Sequence, residues 1–236
     1  MELVVNHKMK MINIKIKFLQ LPIMLLALIG LTFTACKKDS EYYDYENKVK
    51  EFNGTVLQYL TAQPANTFDS LLLVINRLPD LKDTLNNQSI TFFAPTNASF
   101  QAAIKNLNIL RKDQGKTPLY LKDCDVKELE ILTSRYIIRG SRTTDSYAPF
   151  ADGILFASVK YAYPMHIQYD KLNASGFVEG GPQSIIYSDP KNNIFEKYWQ
   201  RSNTNAVNIK AKNGVINVLA PLHDYGFNEF VSRVNQ

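Results

Sequence analysis

Residues 91–100 read Thr-Phe-Phe-Ala-Pro-Thr-Asn-Ala-Ser-Phe, and this stretch predicts a strand that leads directly into a helix. Phe92 and Phe93 point to opposite faces of an extended chain, so both faces of the predicted strand are apolar. Pro95 ends the strand because it has no backbone N–H to donate. The side-chain oxygens of the next two residues can start a helix, which returns Phe100 to the core.

A second pattern lies near the C-terminus, where the β-prone runs 206–210 and 215–219 flank Asn213-Gly214. Asn-Gly between two such runs is a strong hairpin signal, because both residues readily adopt positive φ. The sequence therefore predicts an antiparallel hairpin whose two turn residues are left-handed.

Around these two patterns, apolar spacing predicts helices early in the chain and strands later. The apolar stripes that predict helices cover residues 49–60, 68–78, 81–85, 100–110 and 126–136. The β-prone runs that predict strands cover residues 89–94, 154–159, 165–169, 175–179 and 184–188. Thr67 or Asp69 is expected to cap the second helix, Pro79 to end it, and Asp125 to cap the last helix. This order predicts an α+β domain with N-terminal helices packed on a β-sheet or β-sandwich-like core.

The two patterns together resemble the two signature segments of fasciclin domains. The positions that carry the resemblance are Thr91, Phe93, Ala94, Pro95, Thr96, Asn97, Phe100, Asn213, Gly214, Val215 and Val218. The resemblance covers roughly residues 49–230 and implies a fasciclin-like fold with a general role in extracellular binding. These signatures combine strand, turn and helix-start residues, so their first role is structural.

Three positions depart from the family pattern. Fasciclin domains often have Tyr-His where this chain has Tyr136-Ile137, and His and Asp where it has Asn217 and Ala220. In animal members of the family, adhesion to integrins has been linked to the Tyr-His region. The resemblance therefore implies the fold and a binding role here, but not that specific adhesive role.

The N-terminus has the layout of an export signal. Four lysines between residues 8 and 17 precede an apolar run over residues 18–33, which is shorter than the roughly 20 residues of a membrane-spanning helix. Phe33-Thr34-Ala35-Cys36 resembles a bacterial lipobox, which implies acyl chains on Cys36 after cleavage before it. An ordinary signal peptide with an incidental cysteine is the alternative.

These features predict a signal peptide over 1–35, a flexible tether over 36–48 and a fasciclin-like domain over 49–236. Lys37-Lys38-Asp39 resembles signals that send some lipoproteins to the outer face, and a solvated tether without such a signal is the alternative. The predicted location is the cell envelope, as an outer-membrane lipoprotein, with exposure at the cell surface left open. Without the first 35 residues, 23 basic and 21 acidic residues remain. This near-neutral charge argues against nucleic acid as a partner.

The sequence contains no pattern typical of catalysis. His166 and His223 are the histidines outside the export signal, and each is expected to have a structural role. Nucleophile-elbow, phosphate-loop and zinc motifs do not occur, so the chain is predicted to be a non-enzyme without cofactor or metal. Cys124 is predicted to be a small buried hydrophobe.

Residues 180–205 are predicted to form an elaborated connection before the final hairpin. Its aromatic side chains, the candidate ligand contacts, are Tyr187, Phe195, Tyr198 and Trp199. Exposed aromatic residues on a loop can anchor a protein partner or stack on sugars. The first predicted function is an adhesion or protein-interaction module, and the alternative is an accessory glycan-binding lipoprotein of a nutrient-uptake system. The aromatic residues could equally pack the loop onto the domain.

Overall fold

The computed structural model describes residues 50–173 and 181–236. The predicted signal peptide, Cys36, the tether and the predicted strand over 175–179 lie outside these residues. The helices are α1 (Val56–Thr61), α2 (Asp69–Asn76), α3 (Pro79–Asn87), α4 (Asn97–Asp113), α5 (Val126–Ser134) and α6 (Phe230–Val234). The strands are β1 (Lys50–Glu51), β2 (Ile90–Ala94), β3 (Ile137–Arg139), β4 (Ile154–Ala157), β5 (Pro164–Lys171), β6 (Gln183–Asp189), β7 (Gln200–Ala211) and β8 (Gly214–Leu219).

The strands form one continuous sheet in the order β3-β2-β8-β7-β6-β5-β4, with β1 added beside β7. Strands β2 and β8 are parallel, as are β1 and β7, whereas the other neighbouring pairs are antiparallel. An isolated bridge between Ile138 and Ser158 brings the β3 edge near the β4 edge, so the sheet curls almost into a barrel. The α+β prediction is confirmed, and the core contains a single curled sheet.

Strand β2 separates two apolar layers, as the alternation of its residues predicts. Phe93 points into the curl of the sheet, where its ring stacks on Tyr187 of β6 at a centroid distance of 3.8 Å. Phe92 and Ile90 point to the opposite face, and both are fully buried. The strand is therefore covered on both faces, which explains why all five of its residues are buried.

The Asn213-Gly214 hairpin is present, but it does not use the turn that the sequence predicts. Ala211 pairs with Gly214, so the two turn residues are Lys212 and Asn213. Neither Asn213 nor Gly214 has a positive φ. The prediction of two left-handed residues is therefore wrong, and these two residues have other roles.

Asn213 connects the hairpin to two helices through its side-chain amide. Its Oδ1 accepts a hydrogen bond from the backbone N–H of Val56 at 2.8 Å, at the start of α1. Its Nδ2 donates to the carbonyl oxygens of Leu85 at 3.1 Å and Gln88 at 3.0 Å, at the end of α3. Helix termini leave such backbone groups without intrahelical partners. One side chain therefore satisfies orphan groups of two helices and fixes both to the sheet.

Gly214 permits the close approach of β8 to β2. A Cβ atom at this position would lie 2.3 Å from the carbonyl oxygen of Ile90, which is backbone and cannot move aside alone. The glycine is required by this contact and not by its φ angle.

Several predicted helix ends differ from those observed because the capping groups come from distant residues. Asp69 is the first residue of α2, and neither it nor Thr67 is the N-cap residue. Asn97 instead accepts a hydrogen bond from the Ser70 N–H at 2.9 Å, across 27 residues of sequence. Pro79 does not end the second helix but begins α3, where the missing N–H of proline costs nothing. The first helix begins at Val56, later than the predicted range of 49–60, so residues 50–55 precede it. Asp125 caps α5 as predicted, accepting from the Glu128 N–H at 3.0 Å.

Two residues of the predicted apolar stripes are exposed. Leu110 on α4 and Val126 on α5 face solvent. Leu107 and Leu129, which lie nearer the middle of the same helices, are buried as predicted. The stripes therefore identify the buried faces correctly but extend too far at their ends.

We expect Asn213→Ala to lower the free energy of unfolding by about 2–4 kcal/mol, because three hydrogen bonds disappear and partly buried backbone groups lose their partners. Urea denaturation followed by circular dichroism measures this change. Asn106→Ala, at an exposed position on α4, is the matched control and should change stability by less than about 0.5 kcal/mol. Equal effects of the two substitutions would contradict the role given to Asn213.

Candidate functional site

The predicted aromatic connection is shorter than expected, because half of residues 180–205 belongs to strands. Strand β6 ends at Asp189 and β7 begins at Gln200, so the loop comprises residues 190–199. A short 3-10 helix, Glu196–Tyr198, forms its second half. We call residues 190–199 the aromatic loop.

The aromatic loop exposes a compact apolar cluster. Ile194, Phe195 and Tyr198 are 85%, 59% and 53% exposed. The ammonium of Lys197 lies 4.9 Å from the ring centroid of Tyr198 and 6.0 Å from that of Phe195. Phe195 and Tyr198 thus have exposed side chains on this loop, and their role as ligand contacts stays a prediction. Ile194 was missed, although an aliphatic residue after Asn192-Asn193 in a polar run could have indicated it.

Trp199 supports the loop and is only partly exposed. Its Nε1–H donates to the carbonyl oxygen of Asn193 at 2.7 Å, which closes the loop on itself. Its ring lies 4.8 Å from the ring of His166 on β5. His166 Nε2 in turn lies 2.8 Å from the carbonyl oxygen of Asp152. Trp199 therefore fixes the loop to the sheet, as the packing alternative predicted for this residue.

Tyr187 does not belong to the exposed cluster. It is fully buried on β6, where it stacks on Phe93 and its hydroxyl donates to the carbonyl oxygen of Arg135. The sequence places Tyr187 in the connection over residues 180–205 and predicts a ligand contact, but its side chain points into the curled sheet. It cannot contact an external ligand from there.

A buried ionic cluster holds the base of the aromatic loop. The Arg135 guanidinium donates to Asp189 and to Glu229, both at 2.8 Å, and Arg135 and Asp189 are almost completely buried. Lys191, the second loop residue, donates to the Glu229 carboxylate at 2.7 Å and to the Phe227 carbonyl oxygen at 2.6 Å. These bonds connect the loop to the C-terminal segment.

The electrostatics of Glu229 follow from this cluster. Burial alone would raise the pKa of the Glu229 carboxyl, but hydrogen bonds from Arg135 and Lys191 outweigh it and lower the pKa to about 2. The carboxylate thus stays ionised well into the acidic range, so the base of the loop keeps its ion pairs there.

Tyr136 and His223 form a second buried polar contact. The Tyr136 hydroxyl accepts a hydrogen bond from the Gly226 N–H at 2.7 Å and lies 2.7 Å from His223 Nε2, to which it can donate. Burial lowers the pKa of His223 to about 3, so the imidazole is neutral at physiological pH. Ile137, which takes the place of the family histidine, is buried.

The remaining candidate groups are structural. Cys124 is buried as predicted, and burial raises the pKa of its thiol to about 11, far from the range of a reactive thiolate. Within residues 50–173 and 181–236, no cluster of His, Cys, Asp and Glu side chains could hold a metal ion. No helix in the same two ranges is both long and apolar enough to cross a membrane.

Comparison with solved structures gives a structural likeness, whereas the sequence comparisons give none. No family model matches the sequence, and no curated protein matches it. A solved FAS1 domain pair from the insect cell adhesion molecule fasciclin I is similar at 16% identity and a TM-score of 0.48, over 74% of this chain. The match covers 52% of the insect chain, so the likeness extends over about half of that domain pair.

We expect stability to fall as the pH is lowered from about 6.5 towards 3. The folded-state pKa of His223 lies below the unfolded value of 6.5, so acid protonates the unfolded chain first. The contribution of His223 is complete above pH 6.5 and declines by at most about 1.4 kcal/mol per pH unit on acidification. Urea unfolding at several pH values measures this slope.

His223→Gln should flatten the slope between about pH 6 and pH 5. Glu229→Gln is the control for this window, because a carboxyl with a folded pKa of about 2 and a usual pKa of 4.5 loses stability only below about pH 4.5. A wild-type slope in His223→Gln would contradict the assignment to this histidine.

Proposed function

We propose that this chain is a lipid-anchored cell-envelope protein with a fasciclin-type domain, and that it acts as a non-enzymatic adhesion or protein-interaction module. The aromatic loop is its contact surface. The observation that carries this proposal is the exposure of Ile194, Phe195 and Tyr198 on a loop that is otherwise firmly held. Exposed apolar clusters on rigid supports are typical of protein-binding sites.

The two signature segments support the fasciclin assignment through their position in the sheet. Strands β2 and β8 are adjacent and parallel, so Thr91 lies beside Val215 and Phe93 beside Asn217. Segments more than 100 residues apart in sequence thus form one structural unit at the centre of the domain. This arrangement matches the structural role that the signatures have in the resemblance.

The position of the aromatic loop suits a tethered binding module. Strand β7 leaves the loop at Gln200 and pairs with β1, where the chain enters the domain, at Ile209 and Lys210. At about 3.3 Å per residue, these points lie about 30 Å apart along the strand. The aromatic loop and the point where the chain enters the domain therefore lie at opposite ends of β7, so a partner on the loop leaves the N-terminal side accessible.

The loop favours a protein partner over a glycan. Sugar-binding sites combine flat rings with a cleft, whereas the most exposed side chain here is the aliphatic Ile194 at a protruding position. A protein surface with an apolar pocket fits such a protrusion better. The glycan-binding alternative remains an outcome that the following experiment distinguishes.

A photoreactive residue placed at Phe195 or Tyr198 in intact cells tests the contact surface. We expect discrete crosslinked products of increased mass that persist on glycosidase treatment and yield peptides of a second protein in mass spectrometry. Ile194→Asp should abolish the products formed at position 195, because it places a charge at the apolar contact. Tyr161, which is about equally exposed on the turn before β5, is the matched control position and should give none. Products that vanish with glycosidase, or equal products at Tyr161, would contradict the proposal.

The lipid anchor is tested separately by Cys36→Ser. We expect this variant to move from the membrane fraction to the soluble fraction after alkaline washing, because several acyl chains are needed for stable attachment. Cys124→Ser is the control and should remain with the membranes. Equal membrane retention of Cys36→Ser and the unmodified sequence would contradict lipid anchoring at this residue.

A further inference from the structure

A groove of about 410 Å³ lies between helices α2 and α4, beside the segment 120–122. Phe100 forms part of its lining from α4 and is otherwise almost completely buried. Leu73 of α2 and Ile104 of α4 line it as well, and both are partly exposed. The groove is therefore an apolar depression that is open to solvent.

The segment that borders the groove is held in place by side chains from both helices. Arg77, just after α2, donates to the carbonyl oxygen of Leu121 and, at 2.8 Å, to that of Cys124. Asn108 of α4 pairs with the backbone of Leu119 through two hydrogen bonds of 2.8 and 3.0 Å. The groove is thus formed before any ligand binds, so binding does not require ordering of this wall.

The groove is lined by one acidic and one basic side chain, Asp69 and Lys122, and the two differ in their partners. The Asp69 carboxylate accepts hydrogen bonds from the Asn66 N–H and, at 3.2 Å, from Asn97 Nδ2. It also lies at the N-terminus of α2, where the helix dipole stabilises a negative charge. Lys122 lines the same groove, and within residues 50–173 and 181–236 it forms no ion pair. The groove therefore offers a free cation beside apolar walls.

We propose that this groove binds an anionic amphiphile with a single hydrocarbon chain, of the class of a medium-chain or long-chain carboxylate. The chain lies against Leu73, Phe100 and Ile104, and the carboxylate pairs with Lys122. A volume of about 410 Å³ lies at the lower end of the range of small-molecule sites, so it suits one chain better than a two-chain lipid. The proposal is independent of the aromatic loop, which lies between other strands.

The test uses a diazirine-bearing decanoate and the matching decanol on the full-length chain in membranes, with labelled peptides identified by mass spectrometry. We expect decanoate to label peptides of α2, α4 and residues 119–122, and excess unlabelled decanoate to remove this labelling. The carboxylate probe should label the groove about three to five times more strongly than the alcohol, as expected for one partly exposed ion pair.

Substitutions separate the two parts of the proposal. Leu73→Glu and Ile104→Asp should each remove labelling by both probes, and Leu73 is exposed enough that its substitution preserves the fold. Lys122→Glu should remove the preference for the carboxylate and leave alcohol labelling unchanged. Ile109 lies on α4, as Ile104 does, but its side chain is exposed and does not line the groove. Ile109→Glu is therefore the control, and both probes should label it as strongly as the unmodified protein.

Two results would overturn the proposal. Labelling that is spread over the domain, or that survives both Leu73→Glu and Ile104→Asp, would exclude the groove as the binding site. Equal labelling by carboxylate and alcohol, unaffected by Lys122→Glu, would exclude the anionic ligand class.

Discussion

The side-chain amide of Asn213 fixes α1 and α3 to the sheet at the start of β8, which is the constraint on which the packing of these helices depends. Its hydrogen bonds reach Val56 at the start of α1 and Leu85 and Gln88 at the end of α3. Gly214, the next residue, lets β8 pack against β2 at the Ile90 carbonyl. Two adjacent residues thus act at the start of β8. Asn213 binds the two helices, and Gly214 leaves space for the Ile90 carbonyl oxygen.

A second constraint is the buried ionic cluster at the base of the aromatic loop, and it determines which side chains the loop exposes. Arg135, Asp189 and Glu229 are joined at 2.8 Å, and Lys191 extends the cluster into the aromatic loop. Buried ion pairs contribute little net stability, because desolvation offsets the Coulombic attraction. We infer that the value of this cluster is geometric, since it holds one end of the loop while Trp199 holds the other.

The sequence predicted those features that depend on neighbouring residues. Strand 90–94, the helix after Pro95, the Asp125 cap and the final hairpin follow from local spacing and backbone chemistry, and all are present. Contacts over long separations were not predictable, such as the capping of α2 by Asn97. The same reason explains the candidate site. The composition of the connection indicates Phe195 and Tyr198 as candidate contacts without reference to any distant residue. The burial of Tyr187, in contrast, depends on Phe93, which lies 94 residues earlier and three strands away.

The residues that stand where the resembled fasciclin pattern often has Tyr-His are buried in this chain. In this chain the Tyr136 hydroxyl contacts His223, which lies 87 residues later in the sequence, and accepts a hydrogen bond from the Gly226 N–H. Both side chains are buried and neutral, and Ile137 adds apolar packing beside them. This region is therefore part of the core and offers no polar group to a partner. The exposed apolar groups lie elsewhere, on the firmly held aromatic loop and in the groove between α2 and α4. Each of these surfaces also has a lysine that forms no ion pair among the described residues, which is why we place the two proposed contacts there.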